Sequence, residues 1–280
     1  MKIKSMLKKI IPVTYQKADQ KADALQRAFE KQLAQVTEQI RQGEKADADR
    51  LARQIEAAKR EGAENVFAQV FHDTIAGSTW LKNQTFSPGR WAVGYPFLYP
   101  LYRVLDEKQP EAILELGLGQ STHMMTQYAL AHPQVRHTVV EESAEWISFF
   151  AAKHPLAPNT QIVQMPYALQ SYEGDEVRVY DGFADKMAGQ KFDLLCIDAP
   201  IGGDMKRLSR IDVLKMLPGL LADPFVILMD DYNRAGEKNT CQRMEACLRE
   251  NGIAYAAGTY RGEKDCRVIA SASLKFLTSL

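Results

Sequence analysis

Three aspartates stand at the ends of two apolar runs in the second half of the chain. Asp198 follows the run in FDLLCIDAP, and Asp230 and Asp231 follow the run in FVILMDD. Two runs that pair as adjacent parallel strands place their carboxyl ends at one edge of a sheet, so the three carboxylates are expected to converge. Convergent carboxylates repel one another and raise one another's pKa values, and a hard cation such as Mg²⁺ removes that conflict.

A metal at this edge could bind a substrate hydroxyl and lower its pKa, which makes the oxygen a nucleophile. The residues also allow a simpler arrangement, in which Asp230 or Asp231 caps a loop or a helix start. Asp198 would then bind substrate without a metal. The three aspartates are therefore candidate metal ligands, and the use of a metal stays open.

The stretch ILELGLGQST indicates a strand, a glycine turn and the start of a helix. A dinucleotide-binding turn has the pattern G-x-G-x-x-G; here Gly117 and Gly119 fill the first two places and Thr122 fills the third. Glu115, just before the turn, would repel a pyrophosphate and attract an ammonium group. The turn therefore indicates a nucleotide-bearing cofactor, and an NAD-dependent enzyme is the weakest of the alternatives.

A pair of glutamates ends the next predicted strand, HTVVEE. Glu141 lies at about the distance downstream at which an acid binds the ribose hydroxyls of a nucleotide. Glu142 could take this role instead, and both could also be solvated glutamates at a strand end. Glu141 is the preferred candidate for the ribose.

The elements that must position these residues begin at Pro110. Apolar strands alternate with helical segments, which predicts a mostly parallel sheet covered by helices on both faces. Two predicted strands at the chain's end, IAYAAGTY and CRVIASA, indicate an antiparallel pair around Arg261-Gly262. The expected fold is α/β, a Rossmann-like, doubly wound, seven-stranded sheet. A helix is also predicted from about residue 208 to 221. Lys206, Arg207 and Arg210 could meet an acidic substrate, but a basic, solvated helix start is the preferred interpretation.

The chain before this sheet has two segments of different character. Residues 18–63 have no proline and favour helix, with a thin apolar stripe typical of a coiled coil or a helical hairpin that turns near residues 43–49. This segment is expected to mediate oligomerisation or docking, or else to be a solvated helix packed on its own domain. The predicted domains are an N-terminal helical extension (1–70), an aromatic-rich connector (71–109) and the sheet domain (110–280).

Aromatic residues are dense between Trp80 and Tyr102. At this density they more often form a core beneath a loop, and the alternative is an acceptor pocket or lid. His123 and His154 are interpreted as surface or core residues rather than catalysts.

Composition narrows the classes of function. The chain has 35 basic and 35 acidic residues, so its net charge of zero argues against a nucleic-acid partner. None of the four cysteines forms a C-x-x-C pair, which argues against a zinc site or a disulfide framework. No apolar run approaches the roughly 20 residues of a membrane span. A cytoplasmic protein is expected, and its basic N-terminus, MKIKSMLKKIIPV, is either a helix start or a weak contact with an anionic membrane surface.

Four motifs, ELGLGQST, VVEES, FDLLCIDAP and ILMDDYNR, stand in that order over roughly the last 170 residues. Their order and spacing resemble those of the class I S-adenosylmethionine-dependent methyltransferases. The terminal antiparallel pair is similar to that family's reversed last strand. The DDY after the fifth strand is similar to the macrocin-type sugar O-methyltransferases, in which acids at these strand ends hold Mg²⁺.

The resemblance implies transfer of a methyl group to a hydroxyl of a sugar or another small molecule. Gly117 and Gly119 would then hold the methionine part of the cofactor, with Glu115 near its amino group. Ser121 and Thr122 would open the helix beside it, and Glu141 or Glu142 would bind the ribose. Asp198, Asp230 and Asp231 would match the metal ligands, with Asp198 as general base.

The resemblance leaves the adenine without a clear partner, since only Tyr167, Gln170, Glu173 and Asp175 are offered after the third strand. An alternative function is a catalytically silent scaffold or assembly protein that uses its N-terminal helices.

Overall fold

The computed structural model describes the backbone of residues 2–279 and the side chains of residues 23, 24 and 26–279. The membrane contact predicted for the basic N-terminus concerns side chains outside this described part. The helices are α1 (Lys2–Ile75), α2 (Tyr95–Arg103), α3 (Gln120–Ala131), α4 (Ala144–Lys153), α5 (Phe183–Met187) and α6 (Ala235–Glu250). None of the described helices is apolar over a length that could cross a membrane.

The central sheet has seven strands in the order β3-β2-β1-β6-β7-β9-β8. Its strands are β1 (Ala112–Leu116), β2 (Arg136–Glu141), β3 (Thr160–Gln164), β6 (Phe192–Ile197), β7 (Leu221–Met229), β8 (Tyr255–Tyr260) and β9 (Cys266–Ser271). The first five strands in this order, β3, β2, β1, β6 and β7, pair in parallel. Strand β9 is antiparallel to both β7 and β8. The doubly wound α/β sheet with a reversed C-terminal strand is therefore confirmed.

The sheet is buried on both faces, which explains why its strands are continuous apolar runs rather than alternating ones. In β1, Ile113 belongs to a core with residues of α1, α2 and α3, whereas its neighbour Leu114 belongs to a second core with α5 and α6. Buried polar residues within the strands include Glu115 and His137, which pair with each other. The parallel arrangement of the strands directs the acids at the carboxyl ends toward one edge.

Two parts of the domain differ from the sequence predictions. The segment after β3 forms an antiparallel hairpin of β4 (Tyr167–Tyr172) and β5 (Asp175–Tyr180) outside the main sheet. The predicted helix over residues 208–221 is wrong: that segment is an irregular loop with a short 3₁₀ turn at Leu214–Met216. Arg210 has a φ of +55°, which is incompatible with a right-handed helix, because its guanidinium is drawn inward to buried acids.

The chain divides into two compact units, Met1–Ala58 and Lys59–Leu280. In the first unit α1 continues through residues 43–49, so it does not form the helical hairpin considered from the sequence. Its apolar stripe is exposed: six side chains keep 46–66% of their surface in solvent, namely Phe29, Leu33, Val36, Ile40, Leu51 and Ile55. The predicted boundaries at residues 70 and 109 stay predictions.

In the second unit, the last turns of α1 are anchored by Glu64. Its Oε1 accepts the backbone N–H of Tyr95 at 2.7 Å, and its Oε2 accepts that of Glu263 at 3.0 Å. A Cβ on Gly94 or Gly262 would collide with this carboxylate, so both positions need glycine. The anchor joins the start of α2 to the β8–β9 turn.

The aromatic connector is mostly core. Trp80 stacks on Tyr102 at 5.3 Å, and Phe97 and Tyr99 are buried with them. Trp91 is the exception, because 89% of its surface is exposed. The core interpretation therefore holds for most of this segment and fails for Trp91.

The buried histidine His123 predicts an acid-dependent loss of stability. Burial, together with His154, whose ring centroid lies 4.5 Å away, lowers its pKa to about 4. Because an unfolded histidine titrates near 6.5, stability is fully present above that pH and falls as the pH drops toward 4. Between pH 7 and pH 5 this group should cost about 2 kcal/mol.

The test is urea unfolding of the wild type and His123→Phe at both pH values. The variant should lose less stability than the wild type on acidification, while His72→Gln on an exposed site should behave as the wild type. Equal losses in wild type and His123→Phe would show that His123 does not carry the effect.

Candidate functional site

The glycine turn after β1 lies at the carboxyl edge of the sheet, between the end of β2 and the loop after β6. Gly117 has a φ of +97°, and its N–H donates to the carbonyl of Val140 at 2.9 Å. A Cβ on Gly117 would lie 3.1 Å from the Cβ of Ala199. Glycine is needed there both for the left-handed backbone and for the close approach.

Glu141 fixes the position of this turn. Its Oε2 accepts the backbone N–H of Leu118, and its Oε1 accepts those of Glu142 and Ser143, each at 3.0 Å. A carboxylate has about four acceptor sites, so one remains for a hydroxyl that enters beside the turn. The indole N–H of Trp146 donates to the Leu118 carbonyl at 2.7 Å and holds the turn from the other side.

Glu115, Ser121 and Thr122 form the framework beneath the turn. The carboxylate of Glu115 is 1% exposed; it accepts the Ser121 hydroxyl and lies 3.1 Å from Nε2 of His137. The Thr122 hydroxyl accepts the N–H of Gly119 at 2.9 Å. These contacts assign the three side chains to shaping the turn, and the predicted contact of Glu115 with an amino group stays a prediction.

Open space lies over the start of α3. No atom of the described residues lies within 4 Å of a Cβ built on Gly119, the residue that precedes the helix. The first backbone N–H groups of a helix have no partner within it, and together with the helix dipole they attract an anion. A carboxylate of a ligand would fit at this position.

The three aspartates converge as the sequence predicts. Strands β6 and β7 are adjacent, with Ile197 opposite Met229, and one oxygen of each aspartate lies within 4.8 Å of the others. Asp230 and Asp231 are buried, whereas the side chain of Asp198 keeps 21% of its surface exposed. Asp198 is thus the member of this cluster that a substrate can reach.

A buried guanidinium lies among these acids. The side chain of Arg210 is 4% exposed, and its NH2 lies 2.8 Å from Oδ2 of Asp231 and 3.2 Å from Oδ1 of Asp198. Its Nε donates to the carbonyl of Pro200 at 3.3 Å and its NH1 to that of Asp230 at 3.2 Å. Side chain and main chain therefore hold the guanidinium in one place.

Two further cations complete the cluster. Nζ of Lys264, in the β8–β9 turn, lies 3.3 Å from Oδ2 of Asp230 and 3.6 Å from Oδ1 of Asp231. Arg234 lies 2.8 Å from Oδ2 of Asp231. The fully buried Glu237 adds a fourth carboxylate, 3.7 Å from Arg210.

Burial raises the pKa of Asp198 well above its ordinary value, and the neighbouring charge of Asp230 raises it further. Burial also raises the pKa of Asp230, while Lys264 and Arg210 oppose the change. The cluster is therefore stabilised by its own cations.

A divalent ion fits this donor set poorly. Each of the three aspartates already has an oxygen beside a side-chain cation, and Oδ2 of Asp231 has two. One oxygen, Oδ1 of Asp230, is buried with no hydrogen-bond partner among the described residues. An ion bound there would lie close to the guanidinium of Arg210, which two main-chain carbonyls also hold, so the contacts disagree with the Mg²⁺ site that the resemblance implies.

Residues 87–92 cross from the start of α3, beside the glycine turn, to the lysine that contacts the acids. The backbone N–H of Ser87 donates to Oε1 of Gln120 at the start of α3. Five residues later, the carbonyl of Ala92 accepts Nζ of Lys264 at 3.0 Å. This segment, called the roof segment below, carries Trp91, whose side chain is exposed.

The hairpin changes the candidates for the adenine. Gln170, Glu173 and Asp175 are engaged with Lys215, Arg243 and Arg207 on the hairpin's exterior. Tyr167 lies near Glu141, and burial raises its pKa to about 12. Asp181, which the sequence analysis missed, donates its N–H to the Pro166 carbonyl directly after β3 and has an exposed side chain.

Lys264 was also missed as a site residue, and Arg210 was considered only as a possible contact for an acidic substrate. The sequence predicted Arg210 at a solvated helix start. Its position near the aspartates depends on its left-handed backbone conformation, which no sequence pattern indicates. Lys264 comes from a turn at the far end of the domain, more than 30 residues after Asp230. Only the folded topology brings it to the acids.

Comparison with known proteins finds similarity in structure alone. No protein-family model and no curated protein matches the sequence. Among solved structures, an O-methyltransferase from Bacillus cereus in complex with S-adenosylhomocysteine is 14% identical, with a TM-score of 0.43, covering 75% of this chain and 91% of its own.

Two other solved structures give similar values. The O-methyltransferase TomG from Streptomyces achromogenes, in complex with S-adenosylmethionine, is 16% identical, with a TM-score of 0.42 and coverages of 75% and 88%. The S-adenosylhomocysteine-bound methyltransferase PaMTH1 from Podospora anserina is 16% identical, with a TM-score of 0.44 and coverages of 80% and 94%. The roles of individual residues in this chain rest on the geometry of its own site.

The contacts of Glu141 predict that a neutral amide cannot replace it. In Glu141→Gln one acceptor oxygen becomes an NH₂ donor that faces backbone N–H groups, so buried donors lose their partner. The expected cost is about 1–3 kcal/mol of unfolding free energy, with faster hydrogen exchange at the amides of Leu118, Glu142 or Ser143. Glu142→Gln, whose side chain makes none of these bonds, is the matched control. Unchanged exchange at these amides would contradict the assignment.

Proposed function

We propose that this chain is an S-adenosylmethionine-dependent O-methyltransferase that acts on a hydroxyl of a sugar or another small molecule. One observation carries the proposal: an open glycine turn at a helix start and a cluster of acids lie side by side at the carboxyl edge of one sheet. Ligands of open α/β sheets bind at this edge. A cofactor seated on the turn would bring its reactive end toward the acids.

The cofactor fits the turn through three features. The backbone N–H groups at the start of α3 would bind the carboxylate of its methionine part. The acceptor site left on Glu141 would bind a ribose hydroxyl, with Glu142 beside it. Asp181 and Tyr167, at the adjoining end of β3, are the side chains placed to meet the adenine.

S-adenosylmethionine, when bound, supplies a methyl group made electrophilic by its sulfonium. The protein must align an acceptor oxygen with that methyl group and take the hydroxyl proton. Asp198 is the proposed general base, because it is the most exposed of the three aspartates. Arg210 holds the other side of this carboxylate in place.

The acceptor is expected to lie beneath the roof segment 87–92. The exposed ring of Trp91 offers a flat apolar surface, which suits the face of a sugar or an aromatic acceptor. Mg²⁺ assistance, which the resemblance implies, stays a prediction. The side-chain cations beside the three aspartates argue against it. The proposed proton transfer does not depend on it.

The N-terminal helix is proposed to form a homo-oligomer by a coiled-coil contact. Three of its exposed apolar residues, Phe29, Ile40 and Leu51, are eleven residues apart on one stripe. An eleven-residue period corresponds to about 3.67 residues per turn, which favours straight or right-handed pairing. The alternative of a scaffold without catalysis would need this helix but would not need the acid cluster.

Cofactor binding is the first test of the activity. The wild type should bind S-adenosylhomocysteine with one site per chain in calorimetry. Gly119→Val, which fills the open space over the turn, should weaken binding by at least about tenfold. Gly77→Val, also in open space but outside the site, should bind as the wild type.

A wild type that binds neither S-adenosylmethionine nor S-adenosylhomocysteine at about 1 mM would overturn the cofactor assignment. Asp198→Asn separates binding from chemistry: it should bind the cofactor product normally and lose methyl transfer to a panel of sugar and phenolic acceptors by at least about a hundredfold. Full transfer by this variant would remove Asp198 from the role of base.

The coiled-coil contact is tested by its stripe. Leu33→Glu with Ile55→Glu should convert the assembly to monomers in analytical ultracentrifugation, because charged residues replace apolar ones at the contact. Gln42→Glu with Arg53→Gln changes the same helix at polar positions and serves as control. A monomeric wild type at about 50 µM would refute the oligomer and leave the cofactor assignment untouched.

A further inference from the structure

We propose that Arg210 and Lys264 form a permanent cationic centre that takes the place of a divalent metal ion on Asp198, Asp230 and Asp231. The centre balances the charge of these acids and orients Asp198 toward the acceptor. The catalytic part of this inference rests on the proposed methyltransferase activity. The part that concerns metal binding does not.

Arg210 has the contacts of a fixed structural ion. Its guanidinium touches two of the three aspartates and donates to two main-chain carbonyls, those of Pro200 and Asp230. Its backbone adopts a left-handed conformation, which is a cost that the surrounding contacts must offset. A guanidinium in this position is always charged and cannot be removed by a chelator.

Lys264 places a positive charge beside carboxylate oxygens that the Arg210 guanidinium does not contact. Its ammonium lies beside Oδ2 of Asp230 and Oδ1 of Asp231. It also donates to the carbonyl of Ala92 in the roof segment. One cation therefore connects the acids to the segment proposed to cover the acceptor.

The formal charges of the cluster support this reading. Four carboxylates, those of Asp198, Asp230, Asp231 and Glu237, face three cations, those of Arg210, Lys264 and Arg234. With all seven groups ionised, the formal sum is one negative charge, which complements a single positive charge on a sulfonium cofactor. A divalent ion added to the same residues would leave a net positive charge facing that sulfonium.

The position of Asp198 shows what the centre does for the reaction. Arg210 lies 3.2 Å from Oδ1 of Asp198, and the Asp198 side chain still keeps 21% of its surface exposed. In metal-assisted transfer an ion would orient both the base and the acceptor oxygen. Here the guanidinium fixes the base, which makes Arg210 a positioning residue rather than a catalytic one.

The first experiment measures metal binding directly, with Mn²⁺ as the probe and electron paramagnetic resonance as the readout. The wild-type chain, freed of metal with EDTA, should bind no stoichiometric Mn²⁺ up to about 1 mM. Arg210→Met removes the cation and leaves the acids, so it should gain one Mn²⁺ site that Asp231→Asn in the same background abolishes. Stoichiometric Mn²⁺ binding by the wild type, lost in Asp231→Asn, would overturn the proposal.

A second variant covers the case in which Arg210→Met does not fold. Arg210→Lys keeps the positive charge but loses the planar fork, so it should still bind no Mn²⁺. Its kcat should fall by at least about tenfold with little change in the acceptor KM, because the base is misplaced while the acceptor contacts remain. Unchanged kcat in this variant would contradict the positioning role.

Calorimetry with S-adenosylhomocysteine on the same EDTA-treated samples tests the methyltransferase proposal separately from the proposed cationic centre. Absence of cofactor binding refutes the methyltransferase, whatever the Mn²⁺ result. Stoichiometric Mn²⁺ binding by a wild type that also binds the cofactor refutes the cationic centre alone. Methyl transfer that is undiminished by EDTA, together with a Mn²⁺ signal that the wild-type protein does not reduce, is the result expected if both are right.

Discussion

The buried guanidinium of Arg210 is the constraint on which the acid edge of the sheet depends. A charged side chain that is 96% buried is tolerated only when opposite charges and hydrogen bonds surround it. Removing it would leave Asp198 and Asp231 facing each other and Glu237 at the side, with no compensating charge in contact with all three. The acids and the arginine thus require each other, and the loop between β6 and β7 is shaped by that requirement.

The other half of the site is held by a carboxylate with the opposite task. Glu141 fixes the glycine turn by accepting three backbone N–H groups, so its charge is balanced by the main chain rather than by a cation. The two halves are joined by the roof segment, which is tied to α3 through Gln120 and to the acids through Lys264. A movement of this segment would therefore displace contacts both at the start of α3 and at the acids.

The difference between what could and could not be predicted follows from the range of the interactions. Parallel strands buried on both faces are continuous apolar runs, and their acids must end at one edge, so the convergence of Asp198, Asp230 and Asp231 was predictable. The cations were not, because Arg210 enters through an irregular backbone and Lys264 from the distant β8–β9 turn. The hairpin β4–β5 was missed because its strands carry mixed polar and apolar residues, without the long apolar runs of the main sheet.

The last turns of α1 help to position Lys264. Glu64 accepts the N–H of Glu263, and Arg60 donates to the carbonyl of Gly262 and bonds Asp265, so this helix holds both sides of the turn that carries Lys264. Burial raises the pKa of Glu64, which shows that the anchor is maintained against a desolvation cost. The position of the ammonium on Asp230 is thus set by residues of a helix about 200 positions earlier in the chain. This end of α1 belongs to the architecture of the acid cluster, and its contacts explain why the fold of the sheet alone would not place a cation there.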